Sequence, residues 1–155
     1  MTKPLNQEII KHWKQLRGMT YDFLDKLDND DLFKELPFTK SQSLGYQFNC
    51  MLGAEESNIP LITKGEWKGF ACSLDDQGDL TIEKLITHMK QADAKLEKVL
   101  ESIDLLKKFE DETTPLANYL VLAEHEAHHQ GQIINFIYAH GLPIPKTWAD
   151  KWALG

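Results

Sequence analysis

At 155 residues, 42% hydrophobic and 26% charged, the chain has the size of one ordinary domain and enough apolar material for a packed core, so a single domain over 1–155 is expected. The formal charge of -7 is spread over clusters such as Asn29-Asp30-Asp31 and Asp75-Asp76. The basic residues are scattered lysines and one arginine, Arg17, which leaves no basic face for nucleic acid. Met1-Thr2-Lys3-Pro4 leads into an amphipathic segment with no apolar signal region and no bilayer-length span, so no membrane partner is expected and the chain reads as cytoplasmic. Two cysteines, Cys50 and Cys72, are too few for a disulfide framework and suit a reducing compartment.

The first periodic run is Ile9, Trp13, Leu16, Thr20, Phe23 and Leu27, whose alternating spacing of four and three puts one apolar stripe on a helix despite Gly18. Asp28 to Lys40, with Pro37, reads as a connection. Ser41 or Ser43 can then cap a second helix with the stripe Leu44, Phe48, Met51, Leu52 and Ile59, and Pro60 is expected to close it. Leu61 to Leu80 carries Gly65, Gly69, Gly78, Trp67, Phe70 and Cys72 without helical or alternating order, so it reads as a long loop pinned by its own hydrophobic anchors.

A third run follows at Ile82, Leu85, Ile86, Met89, Ala92, Leu96, Val99, Leu100 and Ile103. The fourth helix has both ends marked: Thr114 can cap it, Pro115 suits its first turn, Gly141 its C-terminal turn, and Pro143 prevents continuation. Beyond it, Trp148 and Trp152 lie in a tail whose aromatics should cover the bundle or a partner chain. Four helices and no alternating strand pattern predict an all-α four-helix bundle with a long connection between its second and third helices.

Half of the six histidines fall in His125-Glu126-Ala127-His128-His129-Gln130-Gly131-Gln132, in the middle of the fourth helix. At about 100° per residue, His125, His129, Gln132 and Phe136 share one line, opposite Leu116, Leu120, Ala123 and Ala127. His128 points elsewhere and reads as exposed. Histidines one turn apart can share a divalent ion, but two seldom complete a site. Cys50 lies off the apolar stripe of the second helix, in a sector with Ser43, Gln47, Ala54 and Ser57, and could supply a thiolate; the set Cys50, His125 and His129 would leave one position open. Asn49 and Asp150 are weaker alternatives. The same five letters also satisfy H-E-x-x-H, in which Glu126 would be the general base of a zinc protease, although no strand precedes the motif to hold a peptide. Otherwise Glu126 reads as solvated, and Glu55 and Glu56 as either solvated or near the site. His12 and His88 read as surface or bundle-edge residues, and His140 as a partner of a helix C-terminus.

The sequence resembles the DinB-like (DinB/YfiT) superfamily of metal-binding four-helix bundles, whose last helix carries a pattern close to HxxHHRGQ. His125, His129, Gly131 and Gln132 match that pattern, with Gln130 in place of its arginine. The family's remaining ligand is a histidine of the second helix in a context like S-L-G-E-L-L-x-H, and Ser43-Leu44-Gly45-Tyr46-Gln47-Phe48-Asn49-Cys50 matches it with cysteine at the histidine position. The resemblance implies a divalent metal, zinc or nickel foremost, and a small-molecule substrate. The implied activities are thiol-dependent S-transfer using a low-molecular-weight thiol, or metal-dependent hydrolysis. A non-catalytic metal-binding or dimerising module is the alternative, with the C-terminal tryptophans at a homodimer interface.

Overall fold

All four expected helices form, and the computed structural model describes residues 2–74 and 79–155; Asp75, Asp76 and Gly78 lie outside the described residues. Helix α1 (Pro4–Leu24) starts on a proline whose missing N–H would have had no helical partner anyway. A single 3₁₀ turn, Asn29–Phe33, precedes α2 (Leu44–Lys64), where Ser43 Oγ accepts from the Tyr46 N–H. Thr81 caps α3 (Ile82–Ser102) and Thr114 caps α4 (Pro115–His140) in the same way, and Gly141 closes α4 at φ 61°. The tail contains a short helix, α5 (Lys146–Trp152).

One boundary differs from the sequence reading. Pro60 does not close α2, which continues one turn to Lys64 and ends at Gly65 with φ 70°. Proline inside a helix costs about 3 kcal/mol. The extra turn offsets that cost by burying Ile62 completely and by presenting the Leu61 carbonyl to both the Gly65 N–H and Asn118 Nδ2.

Hydrogen bonds between helices define the topology. Asn6 bonds the Leu100 carbonyl and Trp13 bonds Asp93, so α1 and α3 run antiparallel. His12 meets Tyr119 and Arg17 meets Glu126, so α1 and α4 run parallel. Gln47 meets His129 and Leu61 meets Asn118, so α2 and α4 run antiparallel. It follows that α2 and α3 point the same way, giving an up–down–down–up bundle in which α2 packs between α3 and α4. Two consecutive parallel helices need a connection that returns along the bundle. Residues 70–72 of that connection lie against α2: Ala71 exchanges two hydrogen bonds with Ser57 Oγ, the Phe70 ring sits on Gly53, and Cys72 Sγ lies 3.2 Å from Asn49 Oδ1. Phe70 and Cys72 therefore touch α2 as expected of anchors, although the Phe70 ring is still 56% exposed, the same as Trp67.

The core is two apolar clusters. Phe23, Phe48, Met51, Phe136 and Trp148 belong to one; Trp13, Ile62, Leu96, Tyr119 and Leu122 belong to the other. Trp148 is fully buried and donates to the Met19 carbonyl at 2.6 Å, so the C-terminal tail covers its own bundle. Among the described residues there is no strand, and no helix is long and apolar enough to cross a membrane.

Candidate metal centre

Because α2 and α4 are antiparallel neighbours, the two sequence stretches singled out above meet side by side. Cys50 Sγ lies 3.8 Å from His125 Nε2, and His125 Nε2 lies 3.2 Å from His129 Nε2. One donor atom from each of the three residues falls within 4.8 Å of the others. Around a tetrahedral zinc, ligand radii of about 2.0 Å for nitrogen and 2.3 Å for sulfur give separations of roughly 3.3 Å for N···N and 3.6 Å for N···S. The donor set fits.

Gln47, one turn before Cys50, settles the protonation pattern. Its Oε1 lies 2.6 Å from His129 Nδ1, which must therefore carry the proton, leaving Nε2 bare and aimed at the Cys50–His125 gap. His125 Nδ1 is buried without a hydrogen-bond partner. The space between the two Nε2 atoms holds either one shared proton or one shared cation. Burial, reinforced by the neighbouring histidines, pushes the His129 imidazole down to about 4, and burial lowers His125 as well. Both rings are thus neutral donors near pH 7, as metal binding requires. Burial shifts the Cys50 thiol the other way, upward, so without an adjacent cation it stays protonated.

A cleft of about 380 Å³ opens beside Cys50 and His129, and Tyr46, Phe38, Gln132 and Phe136 are among its walls. His128 is exposed as expected, yet its ring lies 5.3 Å from that of His129 and reaches the cleft. The weaker ligand candidates are not brought to the site. Asn49 is turned toward Cys72, and Asp150 is exposed and paired with Lys146.

Glu126 and Glu55 overturn the expectation of solvated carboxylates, since both are fully buried. Arg17, the one arginine of the chain, is 1% exposed and joins them: Nε and Nη2 contact the two Glu126 oxygens at 2.8 and 3.1 Å, and Nη1 contacts Glu55 at 2.7 Å. Thr20 donates a further bond to Glu126, and Asp93, held by Trp13 and Tyr21, lies 3.4 Å from Arg17. The helical period explains the arrangement: residue 126 follows 125 by about 100°, so a ligand line facing α2 turns Glu126 toward α1. The H-E-x-x-H protease reading fails here, because its base is consumed in an ion pair away from His125 and His129. Gln130 likewise faces α1, bonding the Leu16 carbonyl and Thr20, so that position does not border the cleft. The sequence marked Arg17 only as an isolated charge. Its rarity in the chain and its place on the apolar stripe flank, next to Leu16, were the available signals.

A model of the DinB family matches residues 1–151. The chain belongs to the DinB family. Two solved structures share its fold: a DinB-like protein, YjoA, of Bacillus subtilis is 21% identical with a TM-score of 0.69, covering 88% of this chain and 96% of its own. A crystal structure described as a putative DinB family member of Exiguobacterium sibiricum is 15% identical with a TM-score of 0.69, covering 93% and 97%. No curated protein matches the chain. In this DinB bundle Cys50 brings a donor atom from α2 to the two histidines of α4.

Proposed function

We propose that the protein is a metal-dependent enzyme that binds one divalent ion, zinc or nickel, through Cys50, His125 and His129, and transfers a low-molecular-weight thiol to a small electrophile. The carrying observation is the donor set itself: two neutral imidazoles and a thiol converge at metal-ligand spacing, with Gln47 fixing the His129 tautomer. When bound, the ion supplies Lewis acidity that lowers the pKa of a thiol or water at its open position. Thiol transfer is favoured over hydrolysis by what surrounds the ligands. No Asp or Glu among the described residues lines the cleft, so a water nucleophile would lack a carboxylate base, whereas a thiol is acidic enough to need only a weak proton acceptor such as His128.

Elemental mass spectrometry on untagged protein tests the site first. About one zinc or nickel per chain is expected, lost in both Cys50→Ala and His129→Ala. Metal retained in both variants would overturn the ligand set. Turnover with a panel of thiols and electrophiles then tests the reaction, and hydrolysis of ester or amide substrates without any thiol would replace it with the hydrolase reading.

A further inference from the structure

The walls of the cleft select a substrate by charge and shape. The chain carries 24 acidic residues against 17 basic ones, and its net charge is -7, yet no carboxylate among the described residues lines the cleft. Lys40, exposed, is the lysine that lines it. Focusing one sign of charge in a cleft against the sign of the whole molecule raises the local concentration of the opposite ion and rejects the wrong partner.

Two further features describe the rest of the ligand. Phe38, which lines the cleft from the 34–43 segment, presents a ring that is 60% exposed, so an apolar body has a surface to pack on. Gln132 Oε1 is buried in the same cleft with no hydrogen-bond partner. A buried acceptor left unpaired is destabilising, and a donor on the ligand removes that cost. We infer that the cleft binds a small organic anion: a carboxylate for Lys40, an apolar body for Phe38, and an N–H or O–H donor for Gln132. This rests on the proposed site for its place beside the reacting groups, though Lys40, Phe38 and Gln132 are not ligands.

N-acetylphenylalanine and its primary amide make a matched probe pair, differing in the carboxylate alone. Their affinities are measured by calorimetry on wild-type protein, metal-loaded and metal-free, and on Lys40→Glu. Lys40 is exposed, so the substitution leaves the fold intact. The acid is expected to bind about tenfold tighter than the amide, in both metal states, and Lys40→Glu is expected to erase that preference while leaving amide affinity within about twofold. Equal binding of acid and amide, an unchanged ratio in Lys40→Glu, or no binding of either probe at millimolar concentration would overturn the inference. An acid preference confined to the metal-loaded protein would also overturn it, because the metal and not the cleft wall would then be the anion receptor. Failure of the metal reading would show separately, as absence of bound metal with the acid preference intact.

Discussion

Removing the Arg17 guanidinium is expected to be among the most damaging single changes in the molecule. Arg17→Met keeps much of the side-chain volume but leaves Glu126, fully buried, with only the Thr20 hydroxyl on its carboxylate, and deprives Glu55 of its cation. Deleting one partner of a buried ion pair costs about 3–5 kcal/mol, since the surviving charge has neither water nor counterion. At about 2–4 °C per kcal/mol for a chain of this size, Tm should fall by roughly 6–20 °C in thermal melts followed by circular dichroism. Glu55 is cushioned: burial already pushes its carboxyl well above the usual range, so it sheds its charge by taking up a proton. Glu126 should therefore dominate the loss, and adding Glu126→Gln to Arg17→Met should restore at least half of it. A single variant that melts within about 2 °C of wild type, or a double variant no more stable than the single, would refute the reasoning.

Metal binding at pH 7 should release close to one proton per chain, from Cys50, because burial keeps its thiol protonated while both histidines are already neutral. Calorimetry in buffers of differing ionisation enthalpy measures this, and Cys50→Ala should release about none; two or more protons would mean that the histidines start charged. Since the lowered His129 value of about 4 keeps that ring neutral well below pH 6.5, the fall in affinity on acidification should follow Cys50 at about one log unit per pH unit. Gln47→Leu should weaken zinc about 10–100-fold in competition with a chelator, and unchanged affinity would remove its orienting role. Gly53→Ala places a Cβ 2.3 Å from Phe70 Cζ, so the 65–81 connection must shift; a loss of about 1–3 kcal/mol with faster amide exchange around Ala71 is expected, and unaltered exchange there would show that Phe70 is not an anchor.

Local signals were enough for four helices and most of their ends, because a cap such as Thr114 and a terminator such as Gly141 act within a few residues of where they stand. They were also enough for the shared face of His125 and His129, which follows from helical geometry alone, and for Cys50 as the residue that meets them, through its match to a family context. What depends on distant chain segments was not legible. Pro60 reads as a stop until Ile62 is seen to be buried beyond it. Glu126 reads as solvent-facing until Arg17 arrives from a helix more than a hundred residues away. The parallel course of α2 and α3, which lays residues 70–72 against α2 and leaves α2 beside α4, is written in no local pattern, because a periodic stripe says that a helix buries one face but not against which neighbour. The tertiary structure made that choice, and with it placed Gln47 against His129 and brought Cys50 to the histidine pair.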